Sequence, residues 1–279
     1  MIHRTSLLAF PAVAVLFAGL STVAEFHEAP PAPVPVHAGE ISVVSLNMAK
    51  ATSVAQVLRD FEKAPAVRDA DILLLQEVAS LEGSPECAAE ELAGKLGRHV
   101  VWSPAATGVT DQGLAILSRW PLEDRRVEAL KRFNLGFRSR SRIALSATAL
   151  TPRGPVRLWN THLDTRLNLR DRMEQLAPVV RASAAFSGPR IIGGDFNSND
   201  FHWLGNMLPV PFVASQAAGV RDFMSREGFT SPLPVTYPTF DHLGMHLDWV
   251  WAKDLKTRAW AVYPMGFSDH HAVLVRVGW

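Results

Sequence analysis

After residue 40, short apolar runs rich in β-branched residues punctuate the chain, and each reads as a buried strand. They cover residues 41–46, 71–76, 99–102, 113–118, 190–193, 247–252, 259–263 and 272–277. Residues 142–150 and 156–160 form a consecutive pair joined by a Pro/Gly turn. Other stretches carry the helical period instead. Val54, Val57, Leu58 and Phe61 fall on one face of a helix over 54–63, which Thr52 or Ser53 can cap. Ser84-Pro85-Glu86 supplies an N-cap, a first-turn proline and an acid at the positive end of the dipole, so a second helix is expected from there to about Leu96. A long helix fits 168–186. Strands grouped in pairs with helices between them predict an α/β (α+β) fold of two mixed sheets packed face to face, with helices outside.

Residues 1–40 follow a different pattern. Arg4 precedes an apolar stretch, 7–20, of the length of a signal-peptide core, and Thr22-Val23-Ala24 offers small residues for cleavage. Read as one uncharged run, 6–24 reaches 19 residues, enough to cross a bilayer at about 20. Residues 1–24 are therefore expected to be a signal peptide or a membrane anchor. Residues 25–39, Pro-rich and extended, would form a linker, and 40–279 the folded domain. The domain is then exported: periplasmic, secreted, or anchored in the inner membrane on its outer side. In the whole chain of 279 residues, 28 Lys and Arg balance 27 Asp and Glu, which argues against a dedicated nucleic-acid coater but not against a local basic patch. The single cysteine, Cys87, excludes an intramolecular disulfide and a Cys-rich zinc site.

Acidic, amide and imidazole side chains stand where the apolar runs end. Asn47 closes the first strand and Glu77 the second; His162 follows the 156–160 strand, and Asp195 and Asn197 follow Ile191-Ile192-Gly193-Gly194. Asp248 lies in His246-Leu247-Asp248-Trp249, and Asp269-His270 opens the last strand. Strand ends at one rim gather residues distant in sequence around one cleft. Asp195 and Asn197, two apart in extended chain, would leave on the same side. Crowded carboxylates are costly unless a cation neutralises them. The hard oxygens of Glu77, Asp195, Asn197 and Asp269 suit Mg²⁺, Mn²⁺ or Ca²⁺. Each residue alone has a plainer reading: a turn former, an Asx-turn with a helix capped by Asp200, a solvated His pair, or a buried acceptor at Asp248. Their joint occurrence, each after an apolar strand, favours chemistry.

Ser45-Leu46-Asn47, Leu75-Gln76-Glu77, Asn160-Thr161-His162-Leu163, Gly193-Gly194-Asp195-Phe196-Asn197, Leu247-Asp248-Trp249 and Ser268-Asp269-His270 resemble the motifs of the endonuclease/exonuclease/phosphatase superfamily. The resemblance spans 41–277 and implies a four-layer αββα sandwich and a metal-dependent phosphoesterase. It implies that Glu77 is the principal Mg²⁺ ligand, supported by Asn47 and Asp269. Asp195 and Asn197 would orient or deprotonate the attacking water, His270 would meet a phosphate oxygen or act as acid–base, Asp248 would fix His270, and His162 would be a second phosphate-side imidazole. Ala49 stands where many nucleases of the superfamily carry an acid or Arg.

The substrate is less constrained. Residues 125–142 hold seven basic residues and one acid, Glu128. Read as a loop, they would follow a nucleic-acid backbone, meet anionic lipid head groups, or simply be solvated. The leading expectation is an exported nuclease or general phosphodiesterase, a monomer whose partner is a phosphodiester, nucleic acid or lipid head group. The alternative is a phospholipid or sphingomyelin head-group hydrolase or a phosphomonoesterase at the membrane surface. A non-catalytic phosphate binder is disfavoured by the full set of acids and imidazoles. Trp159, Trp249 and Trp251 are expected in the core. His242 and His246 are either cleft-rim or spare loop histidines.

Overall fold

The computed structural model describes residues 39–80, 87–105, 113–136, 141–211 and 215–279. The leader and linker expected over 1–38, and the Ser84-Pro85-Glu86 cap, lie outside them. No helix among the described residues is long and apolar enough to cross a membrane.

The first sheet has six strands: β1 (Glu40–Asn47), β2 (Ile72–Val78), β3 (His99–Pro104), β4 (Gly113–Ser118), β12 (Lys256–Tyr263) and β13 (Ala272–Gly278), in the order β12-β13-β1-β2-β4-β3. The second has five: β5 (Leu122–Ala129), β6 (Ile143–Thr151), β7 (Gly154–His162), β8 (Arg190–Asp195) and β11 (Asp248–Lys253), in the order β11-β8-β7-β6-β5. Only β1/β2 and β7/β8 pair in parallel; the other neighbours run antiparallel. Period-two alternation divides each central strand between two layers. Val43 and Leu74 join Leu145, Leu158, Ile191 and Val250 in the core between the sheets. Val44, Leu73 and Leu75 face outward onto α1 (Val54–Lys63) and α3 (Ala88–Leu96). On the far side, Trp159, Ile192, Trp249 and Trp251 pack against α4 (Leu169–Ala184) and α5 (Gln216–Arg226). The result is the four-layer αββα sandwich, with the three tryptophans in the core as expected.

Several elements differ from the sequence reading. The basic stretch 125–142 is not one loop: its first five residues belong to the edge strand β5, and Arg142 is buried against Asp164, Nε to Oδ1 2.9 Å. The helix expected from Ser84 begins at Ala88. Cys87 takes the N-cap position, and its N–H is bonded by the Glu90 carboxylate, 2.8 Å, a turn later. A one-turn helix α2 (Pro65–Arg68), helix α5, and a separate two-stranded ribbon of β9 (Phe201–Leu204) and β10 (Leu208–Pro211) are additional.

The topology places the site. Because β1 and β2 are parallel, Asn47 and Glu77 emerge at one rim; because β7 and β8 are parallel, so do His162 and Asp195. The antiparallel strands β11 and β13 begin at that rim, bringing Asp248 and the Asp269-His270 pair. Two buried amides fasten the sheets together just behind it. Asn160 Nδ2 donates to the carbonyls of Leu75 and Ala115, and Gln76 Nε2 donates to Asn160 Oδ1, 2.7 Å.

Candidate active site

His162, Asp195 and Asp248 are direct cross-strand neighbours on β7, β8 and β11. This register demands the glycine before Asp195. Gly194 has φ +139°, and a Cβ there would fall 1.9 Å from the Thr161 carbonyl oxygen. Asp195 Oδ2 faces His162 Nε2 at 3.3 Å and His270 Nε2 at 3.8 Å, and accepts from Asn47 Nδ2 at 3.1 Å. Its other oxygen accepts the Asn197 N–H, 2.8 Å. The chain is thus not extended after Asp195. It closes an Asx-turn with Asn197 at φ +50°, and Asn197 Nδ2 turns back to Leu163 O and Asp195 Oδ2. The turn is followed by β9, not by the Asp200-capped helix of the plainer reading. The turn is what aims the two side chains.

His270 is oriented through its other ring nitrogen. Nδ1 lies 2.9 Å from Asp248 Oδ2, which also accepts from Thr239 Oγ1 at 2.8 Å. The same hydroxyl accepts the N–H groups of Leu247 and Asp248, so Thr239 fixes both the carboxylate and its backbone. Ser268 Oγ binds Asn47 O and receives the His270 N–H, joining β1 to the His270 loop. Burial disfavours the His270 cation, but the Asp248 and Asp195 carboxylates outweigh it and raise its basicity. Asp195 is raised too: burial drives the shift and Asp248 adds to it, against the pull of the His270 charge. His271 leaves in the other direction and pairs with Asp241, Nε2 to Oδ1 2.6 Å.

These groups open on a cleft of about 420 Å³. Asn47, Glu77, His162, Asp195, Asn197, Asp269 and His270 all line it, and Asp248 sits beneath, fully buried. Glu77 reaches the cleft from a β-bulge in β2, where it adopts φ +50°. The sequence did not point to Thr239, Asn199 or Arg172, nor to Phe201 and Phe240, which line the cleft with Trp203 as an aromatic wall. His246 is not a rim residue. It is buried on Trp249, ring centroids 4.0 Å apart, with Nδ1 2.8 Å from Tyr237 O.

A divalent cation fits this chemistry. Glu77 and Asp269 present hard carboxylate oxygens to the same cleft as the Asn47 amide. Asp195, Asp248 and His270 offer three further ligand atoms within 4.8 Å of one another, although the His270–Asp248 bond already satisfies part of that trio.

No curated protein sequence matches the chain. Among solved structures, an endonuclease/exonuclease/phosphatase from Beutenbergia cavernae DSM 12333 superposes with TM-score 0.66 at 17% identity, over 86% of this chain and 72% of that one. The human Nocturnin catalytic domain gives 0.62 at 18%, over 86% and 95%, and truncated Caenorhabditis elegans TDP2 gives 0.58 at 21%, over 86% and 98%. At these identities the likeness is one of fold. The sequence itself matches the model of the Endonuclease/Exonuclease/phosphatase family over residues 44–270. The chain therefore belongs to that family of phosphoric ester hydrolases, whose members act on phosphodiesters such as nucleic acids and generally depend on divalent metal.

Proposed function

We propose that this protein is an exported, monomeric phosphodiesterase that cuts its substrate by direct attack of water, with nucleic acid as the leading substrate. The observation that carries the reading is the buried Asp195 carboxylate, set between His162 and His270 at the floor of an open cleft. A carboxylate of raised basicity accepts a proton from water near neutral pH, and Asn197, locked to it by the Asx-turn, orients that water. His270, kept cationic by Asp248, donates from Nε2 to a non-bridging phosphate oxygen, and His162 lies on the same side. His270 need not reorganise as charge develops, because Asp248 and Thr239 already hold its ring. Glu77, Asn47 and Asp269 would hold Mg²⁺. The bound ion supplies Lewis-acid neutralisation of the phosphoryl oxygens.

Export rests on the apolar segment 7–20 behind Arg4; an alkaline phosphatase fusion to residues 1–40 should be active only if that segment directs translocation. For the activity, the full chain is dialysed against EDTA and assayed on bis-p-nitrophenyl phosphate, plasmid DNA, RNA, sphingomyelin and phosphoinositides, with and without Mg²⁺. Turnover that vanishes on chelation and returns with Mg²⁺ or Mn²⁺ is expected, with nucleic acid among the substrates. Full turnover in excess EDTA would remove the metal from the account, and hydrolysis of the lipids alone would move the substrate to head groups.

A further inference from the structure

The cleft has an uncharged rim that the hydrolytic reading leaves unused. From Phe201 to Ser215 the chain carries no Asp, Glu, Lys or Arg, in a protein with 20% charged residues. Its described part is the β9–β10 ribbon, which belongs to neither main sheet. The ribbon's base is fixed: Asn168 brackets Trp203 through both its N–H and its carbonyl, and Gln216 Nε2 donates to Phe201 O. Its tip is not. Leu204, Met207 and Leu208 are 50%, 56% and 65% exposed, while Phe201 and Trp203 alternate inward to the cleft wall. Across the cleft, the loop bearing Phe240 and Met245 presents Leu243, 74% exposed and held out at φ +62°. Four of the six exposed large hydrophobic side chains among the described residues thus stand on the two segments that frame the cleft mouth.

Two observations select the occupant. Strand β10 carries Pro209 and Pro211, which have no N–H to offer, so a second copy cannot extend the ribbon by regular strand pairing. Beside the ribbon, the 131–136 segment and the start of α4 carry four cations, Lys131, Arg132, Arg166 and Arg170, to two acids, Asp171 and Glu174; Lys131 and Arg170 both pair with Glu174. A Cβ on Gly136 would stand only 3.8 Å from Met207 Sδ, which puts that segment against the tip. An apolar tip and an excess of flanking cations match the interfacial region of an anionic bilayer. We propose that the β9–β10 tip and Leu243 dock the domain onto an anionic lipid surface, with the cleft mouth turned toward it.

The docking does not depend on which phosphodiester is cut, so its test needs no turnover. Cys87 is buried, so the full chain with Met207→Cys accepts an environment-sensitive fluorophore (NBD) at that position alone. The same label at Lys256→Cys is the control. Lys256 pairs with Gly278 at the strand ends away from the cleft, so it reports on vesicle contact through any face other than the cleft mouth. With phosphatidylcholine/phosphatidylglycerol (7:3) vesicles, the label at 207 should shift to the blue and lose at least half its quenching by iodide, and that at 256 should not. Adding Leu204→Ser and Leu208→Ser should weaken the effect tenfold or more. No shift at 207 overturns the proposal. A lipid-independent shift that grows with protein concentration overturns it in favour of a second copy, and an equal shift on pure phosphatidylcholine overturns the anionic requirement.

Discussion

Replacing Arg172 by lysine probes what holds the cleft floor in place. The Arg172 guanidinium is fully buried on α4 and uses all five of its N–H donors. Nε donates to Gln216 Oε1 at 2.9 Å; Nη1 to the carbonyls of Asp164 at 2.7 Å and Phe196 at 2.8 Å; and Nη2 to those of Leu167 at 2.7 Å and Thr165 at 3.3 Å. One side chain thereby ties the loop after His162 to the turn between Asp195 and Asn197. An ammonium has three donors on a point, so at least two buried acceptors lose their partner. At about 1.5–3 kcal/mol for each hydrogen bond to a charged group, the loss is about 3–6 kcal/mol, a large part of the ~5–15 kcal/mol that holds a domain together. Burial pulls the Arg172 pKa down only to about 9, so the native side chain is still charged at neutral pH. Urea unfolding at pH 7, followed by circular dichroism, measures the change. In the fraction that remains folded, kcat should fall by roughly a hundredfold, as for an ångström-scale misplacement of catalytic groups. A stability loss below about 1 kcal/mol, well under the cost of two charged hydrogen bonds, would refute the reasoning.

Three further outcomes follow from the geometry. His270→Ala should lose ~10²–10³ in kcat, the usual cost of one preorganised donor, whereas His271→Ala, which loses only the contact to Asp241, should change the rate little; steady-state kinetics on folded proteins decides between them. His246 is buried with Nε2 unpartnered, and burial lowers its pKa from 6.5 to about 4. The folded state therefore resists protonation: the stability is fully present above pH 6.5 and is lost as pH falls from 6.5 toward 4, by up to about 3 kcal/mol at 1.36 kcal/mol per pKa unit. Urea midpoints from pH 7 to 4.5 should fall less steeply for His246→Gln than for wild type, and parallel curves would contradict this. Gly194→Ala should cost on the order of 4 kcal/mol or more, because its methyl would meet the Thr161 carbonyl, and a melting temperature within 2 °C of wild type would contradict the crowding argument.

The central strands were readable because both of their faces are buried, so β-branched and leucine runs such as Ile72–Val78 have no other use. Strand β5 was not, for the opposite reason: LEDRRVEA lies on the sheet edge, mostly exposed, and nothing apolar marks it. Helix α5 buries only Gln216, Ala217, Val220 and Met224, a stripe too thin to stand out. In the site, residues that sit at strand ends and carry charge were legible, and the rim collects seven of the eight around one cleft with Asp248 beneath it. Thr239 and Arg172 were not, because they act through hydrogen bonds to carboxylate or backbone partners brought near only by the fold. The extended-chain argument for Asp195 and Asn197 missed the left-handed turn at Asn197, a conformation asparagine tolerates through its short polar side chain.

The claim that Asp195 activates the attacking water meets its most direct test in the kcat of Asp195→Asn on bis-p-nitrophenyl phosphate at saturating Mg²⁺. The substitution keeps the shape of the side chain and removes its capacity to take a proton. A fall of ~10²–10⁴ in kcat, with KM within a few-fold of wild type and the fold intact by circular dichroism, is the predicted result. A kcat within threefold of wild type would contradict the account.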